Sequence, residues 1–379
     1  MGNPVYVPIT PSVLRWAIDE SGYDDATVAR RLKVAPGELG RWIRGDRQPS
    51  LTAFRELATV LRRPTATFLL PEPPRRKSAD IQFRQSPGAG SRSLLPDERL
   101  AIREVGRLQA GAAWLVDELG TDTPELPKLG TALKPEVAGR RLRALFGTTI
   151  ESQLSWKNSS VALKEWRAAI EAAGVLVFLL PLGEHGCRGF SLWNERAPAI
   201  VANTHWNPAA RIYTLFHEVA HLLTRTNSVC ADETRSSSAD AASDLERWCE
   251  QVAAAALMPA SDIRTRVQGA ARADLGLVKR IATEFCVSLR AAALRLIDLG
   301  FATWALFRAL PVSSDAKRDG GGGGGGRTRA KVRVDEYGPR TIRTFLRGVQ
   351  REVIGVSDAM RYLDISDQDF SALGDIVPL

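Results

Sequence analysis

The stretch His217-Glu218-Val219-Ala220-His221 constrains this chain more than any other five residues in it. It sits inside a run from Asn207-Pro208 to about Leu223 with helical spacing of apolar residues, where Asn is suited to cap the helix and Pro to occupy its first turn. On a helix, side chains four residues apart lie one turn apart on one face, so the two imidazoles can share one ion. Zinc takes neutral imidazole nitrogens and, with three protein ligands, keeps a position for water, whose proton the carboxylate beside the first His can take. The chain has only four His, so the motif rarely arises by chance. The plainer reading makes His217 and His221 partly buried helix residues and Glu218 a surface carboxylate. A third ligand decides between the two. Downstream, the helical stretch Asp244–Leu257, ending at Met258-Pro259, offers Glu246, with Cys249 and Glu250 one turn on along the same face.

A hydrophobic fraction of 44% with 25% charged residues is the balance of a folded soluble protein, and 379 residues suffice for two or three domains. Met1–Thr10 shows no basic segment followed by an apolar one. Apolar runs such as Ala172–Leu182 are too short to span a bilayer. A cytoplasmic protein without a membrane partner is expected. Cys187, Cys230, Cys249 and Cys286 are scattered without C-x-x-C spacing, as suits free thiols in a reducing compartment. Of the net charge of +8, residues 1–84 hold +5, with 14 Lys and Arg against 9 Asp and Glu. Positive charge concentrated in one part of the chain favours a nucleic-acid partner there, although a solvated basic face accounts for it equally well on charge alone.

Pro71-Glu-Pro-Pro74 and the basic residues after it close a small N-terminal domain. A long amphipathic helix is expected from about Asp97 to Gly120, carrying Leu100, Ile102, Val105, Leu108, Ala112 and Leu115. A helix from about Ser160 to Ala173 leads into strands at Val175–Leu180, Gly189–Trp193 and Pro198–Asn203. Two short helices follow between Leu275 and Leu299. The glycine run 320–326 reads as a flexible linker, with a helical pattern resuming over Arg340–Leu373. The fold class is thus α+β and helix-rich, with a small sheet.

In the N-terminal domain, Asp25–Leu32, the turn Lys33-Val34-Ala35 and Pro36–Gly45 place two short helices around a tight turn. Thr52–Arg63 completes a unit whose inward residues are Val28, Leu32, Leu39, Trp42, Leu57 and Leu61. The Val-Ala-x-x-Leu start, the Leu-x-x-Trp of the second helix and the Gly-x-x-x-Pro-Ser-Leu exit resemble the XRE-type helix-turn-helix family over residues 10–71. The resemblance implies an all-α domain that binds duplex DNA. Ile43 and Pro36-Gly37 depart from that family, which usually has Glu after the Trp and Gln early in the recognition helix. Arg41, Arg44 and Arg47, on or beside that helix, are the candidate contacts to phosphates or guanine edges.

The stretch Pro198–Leu223, with Arg211 before His-Glu-x-x-His, and then Glu-x-x-Cys-x-x-Val-Ala-Ala-x-x-Leu-Met-Pro, looks like the ImmA/IrrE peptidase family. The resemblance implies a zincin-like, gluzincin-like metallopeptidase domain with a helical C-terminal extension. Its zinc would be held by His217, His221 and Glu246, with Glu218 as general base. Glu250 stands where that family commonly has Asn or Asp, a position that orients a zinc-bound His through its other ring nitrogen. Cys249 occupies a slot that is usually small and is expected to pack; a closed zinc site including it is the least favoured arrangement. His185 and His205 lie outside both motifs and read as surface or structural residues. The expected division is 10–71 for the helix-turn-helix domain, 72–96 for a hinge, 97–310 for the peptidase domain with its helical scaffold, 311–339 for the glycine-rich linker and 340–379 for a small helical segment. The resemblance further implies cleavage of a transcriptional repressor or similar regulatory protein. The strand near Pro198–Asn203 could pair with an extended substrate by strand addition, the sequence leaving open which edge of the sheet is free. The alternative is a non-catalytic, antitoxin-like DNA-binding regulator whose zincin domain senses a metal or ligand, and a homodimer is compatible with either.

Overall fold

The computed structural model describes residues 5–74, 94–230, 241–268, 272–311 and 327–379. The described residues up to 74, with those from 94 to Glu104, form one compact unit, and the described residues from Val105 onward form a second.

The first unit packs helices α1 (Pro11–Ser21), α2 (Asp25–Arg31), α3 (Pro36–Arg44) and α4 (Leu51–Val60), followed by a 3₁₀ turn at Thr65–Leu69. Local chemistry sets each boundary. The Asp24 carboxylate accepts from Thr27 N at the start of α2, and Ser50 does the same for Ala53 N at the start of α4. Gly22 and Gly45 end α1 and α3 in the left-handed conformation. Val28, Leu32, Leu39, Trp42, Leu57 and Leu61 are all buried, so the inward pattern read from the sequence is the core of this unit. Helix α5 (Pro96–Glu118) contributes its residues through Glu104 to this unit and the remainder to the second.

The second unit continues through α6 (Pro135–Leu145), α7 (Ile150–Leu154) and α8 (Ser159–Ala172) into strands β1 (Leu176–Leu180), β2 (Gly189–Leu192) and β3 (Ala199–Asn203). Then come α9 (Pro208–Leu223), β4 (Ser228–Cys230) and α10 (Ala241–Leu257). The fold is therefore α+β and helix-rich. The sheet order is β1-β3-β2-β4, with β1 parallel to β3 and the other two pairings antiparallel. This overturns the expectation for Pro198–Asn203: β3 is paired on both sides, so its backbone groups are committed to β1 and β2 and it offers no edge to a substrate. Among the described residues the edges are β1 and β4. Strand β4 is only three residues long, too short to leave an alternating pattern in the sequence.

Helix α9 lies on a dense aromatic support. Phe216 meets Trp166 edge-on at 4.7 Å and Phe146 at 5.7 Å between ring centres, and Trp166 in turn meets Trp156 at 5.2 Å. Each such pair adds about 0.5–1.5 kcal/mol beyond area burial. Helix α10 packs against both α9 and α6. Its last carbonyls, which have no partner within the helix, are taken up from outside: Arg143 donates to Ala256 O at 2.9 Å, Gln153 to Leu257 O at 3.0 Å, and Arg295 to Met258 O at 2.9 Å. At the crossing of α6 and α10, a Cβ on Gly139 would stand 2.7 Å from Ala256 N. Gly139→Ala gains about 1 kcal/mol of helix propensity, but the clash is with backbone that cannot swing away, and overpacking costs about 1–3 kcal/mol. The variant is expected to unfold at lower denaturant concentration than the wild type; an unchanged midpoint would show that the helices can separate freely.

Beyond α10 come α11 (Ala260–Val267), α12 (Leu275–Glu284), α13 (Leu289–Asp298) and α14 (Trp304–Arg308), then α15 (Arg329–Gln350), α16 (Val356–Leu363) and α17 (Asp367–Ile376). The expected flexible glycine run 320–326 and most of the expected hinge 72–96 lie outside the described residues. Helix α15 starts well before Arg340, because Thr328 caps it and Ala330, Arg333 and Tyr337 bury one face. It breaks at Gly338 (φ 84°, ψ 147°) before Pro339. The C-terminal helices belong to the second unit, with α15 packed on β1. Arg167 joins them, donating to Glu171 Oε1 at 3.1 Å, to Val177 O at 2.6 Å and to Asp335 O at 2.6 Å, while Arg340 N donates to Glu171 Oε2 at 3.0 Å. Among the described residues no helix is long and apolar enough to cross a membrane. Cys187, Cys249 and Cys286 are buried and form no disulfide among the described residues.

Candidate metal centre

Asn207 caps α9 by accepting from Ala210 N, and Pro208 fills the first turn. The helix then runs through the core, which explains why its residues are apolar on nearly every side and why His217, Glu218 and His221 are all buried. The four-residue spacing brings the two imidazoles together with Nε2 atoms 3.1 Å apart. Helix α10 supplies Glu246, whose Oε2 lies 3.2 Å from His217 Nε2 and 3.3 Å from His221 Nε2. Among the described residues, His217, His221 and Glu246 form a cluster of donor atoms able to hold a metal ion.

Electrostatics bind the three together. Burial pulls the His217 imidazole down, but the hydrogen bond and charge of Glu246, with the charges of Glu218 and Glu250, outweigh it and push it up. Burial works against the Glu246 carboxylate, yet the hydrogen bonds and charges of both imidazoles hold it well below the usual carboxylate range. Three Lewis-basic atoms thus face one point that favours positive charge.

Burial, then the nearby carboxylates Glu246, Glu218 and Glu250, push the fully buried Cys249 thiol well above its ordinary value. It therefore stays protonated, and it stands outside the donor cluster. Glu250 acts on His217 through its charge, and its backbone oxygen accepts from Tyr213 Oη at 3.1 Å. His185 is exposed, and His205 packs edge-on against Trp206 at 5.1 Å. Neither belongs to the cluster.

Glu218 is fully buried, and its two oxygens differ. Oε2 accepts from Ser228 Oγ at 2.5 Å, and Ser228 Oγ is 2.8 Å from Ser191 Oγ. Oε1 has no hydrogen-bond partner among the described residues. Sequence reasoning missed both serines: Ser191 on β2 and Ser228 on β4 are cross-strand partners, a relation that no local spacing announces.

In the first unit, Arg41 and Arg44 lie on α3 and Arg47 just beyond it, all about half exposed or more. Arg41 pairs with Glu38 at 2.6 Å, Arg44 with Asp46 at 2.8 Å, and Arg47 lies 3.5 Å from Glu38. Solvent-exposed pairs of this kind are weak and exchange readily for another anion.

Together these features define a chain that joins a helix-turn-helix domain to a peptidase-like domain built around a His-Glu-x-x-His helix. Comparison with known families agrees: residues 14–68 match the helix-turn-helix family model, and residues 170–296 match the IrrE N-terminal-like domain, a peptidase family model. The second match spans His217, His221 and Glu246, the cluster able to hold a metal ion. A search of curated proteins found no match.

Proposed function

We propose that this protein is a zinc-dependent endopeptidase coupled to a DNA-binding domain, and that it cleaves a repressor or other regulatory protein to control transcription. The observation that carries this reading is the convergence of His217 Nε2, His221 Nε2 and Glu246 Oε2 at separations of 3.1 to 3.3 Å. Zinc bonds nitrogen and carboxylate oxygen at about 2.0–2.2 Å in tetrahedral sites, which puts neighbouring ligand atoms roughly 3.3–3.5 Å apart. Two imidazoles and one carboxylate are also the donor set of catalytic zinc sites that keep one position open. When bound, zinc supplies a Lewis acid that polarises a carbonyl and makes water more acidic.

The chain's own residues do the rest. Glu218 accepts the proton of the attacking water and passes it to the leaving amine. Glu250 strengthens the negative field around His217 from the same face of α10 as Glu246, and Cys249 fills space. One observation favours the alternative, a regulator that senses metal or ligand without hydrolysis: Glu218 has no exposed surface, an arrangement that suits a closed sensing site. The test is capture of a partner by the Glu218→Gln chain, followed by incubation of that partner with zinc-loaded and chelator-stripped wild type. Cleavage only with zinc supports the peptidase; equal cleavage by both preparations overturns it.

For the first domain, Arg41, Arg44 and Arg47 are the proposed phosphate contacts on duplex DNA. The full chain is expected to shift DNA in gels with an affinity that falls steeply with salt. Replacing all three arginines by Ala should reduce the slope of log K against log salt by about 3, one counterion per lost contact. An unchanged slope would place the DNA interface elsewhere.

A further inference from the structure

Ser191 and Ser228 stand where a core would ordinarily be apolar. Strand β2 is buried along its whole length, and Ser191 and Ser228 are both almost fully shielded from water. A buried hydroxyl is unfavourable unless it is hydrogen-bonded, and this pair finds its partner in the Glu218 carboxylate. The direction of the chain of bonds follows from proton count. A serine hydroxyl has one proton to give; Ser228 gives its own to Glu218 Oε2, so the bond between the serines is donated by Ser191 to Ser228. Glu218 Oε1 lies near β2: a Cβ on Gly189 would come within 3.3 Å of it, although it would first meet Val201 O and, at 2.5 Å, Thr214 Cγ2.

We propose that Ser228, oriented by Ser191, is a positioning residue that clamps one oxygen of Glu218 and so presents the other, Oε1, for proton transfer. The inference rests on the reading of Glu218 as the general base. A carboxylate free to rotate about its last bond divides its time between orientations; one with Oε2 committed to a charge-assisted hydrogen bond does not. The clamp reaches Glu218 across β4 and β2, so it acts without touching the metal ligands.

The test combines a spectroscopic readout with kinetics on full-length, zinc-loaded protein. An infrared difference spectrum against Glu218→Gln identifies the Glu218 carboxylate band. That band should shift in Ser228→Ala and return toward its wild-type position in Ser228→Thr, which restores a hydroxyl. Against the partner captured by Glu218→Gln, Ser228→Ala should lower kcat by about 10–100-fold, a part of the roughly 10²–10⁴-fold that a general base contributes, with KM and zinc content unchanged. Ser228→Thr should recover most of the loss, and Ser191→Ala should show a smaller one. If Ser228→Ala stays folded and its Glu218 band does not move, the clamp does not exist and the proposal fails. It fails equally if kcat is wild-type while Glu218→Gln is inactive, an outcome that leaves the peptidase reading intact. Equal cleavage by wild type and Glu218→Gln instead removes the peptidase reading itself, and with it the role assigned to the serines.

Discussion

Glu218→Gln is expected to eliminate cleavage while the metal stays bound. The side chain keeps its length, and the amide oxygen can still accept from Ser228, so the buried contact at 2.5 Å is replaced rather than deleted. What disappears is the ability to take a proton. General-base catalysis contributes about 10²–10⁴-fold to rate, which is the loss expected in kcat. Glu218 is not among the three clustered donors, so zinc content should equal that of wild type, whereas His217→Ala should lower it. Metal analysis, thermal unfolding and cleavage of the captured partner, measured side by side, separate the hypotheses. Zinc retained with cleavage lost supports the peptidase. Cleavage equal to wild type points to a contaminating protease. Transcriptional regulation intact in Glu218→Gln and wild type alike supports the non-catalytic regulator.

Glu246→Ala is expected to empty the site, and Cys249→Ala to leave it filled. Glu246 supplies one of the three donor atoms and is the carboxylate that acts most strongly on His217, ahead of Glu218 and Glu250. Removing an outer hydrogen-bond partner of a metal ligand typically costs about 10–100-fold in affinity, and loss of a ligand itself should exceed that. Cys249 lies one turn away on the same helix, but its thiol is held in the protonated form by burial and three carboxylates. Its replacement removes only a small buried group, so the effect should fall on stability. Zinc per chain after equilibration at a fixed free zinc concentration measures both. The ligand assignment is wrong if the Cys249 variant loses its metal and the Glu246 variant keeps it.

Much of the site was legible because helical geometry is local. The hydrogen bond from each residue to the fourth before it forces His217 and His221 onto one face whatever surrounds them, and Asn207-Pro208 announces where that helix begins. The same holds for the first unit, where the spacing of Val28, Leu32, Leu39, Trp42, Leu57 and Leu61 prescribes which faces meet. Spacing alone left Glu246, Cys249 and Glu250 as equal neighbours on α10; resemblance to a known family selected Glu246, and the packing of α10 on α9 brings its carboxylate against the imidazoles. The order β1-β3-β2-β4, which buries β3 in mid-sheet, and the meeting of Ser191, Ser228 and Glu218 follow only from tertiary structure. Backbone hydrogen bonding encodes a period within one helix, whereas which strand lies beside which, and which serine meets which carboxylate, is decided by the packing of segments far apart in the chain.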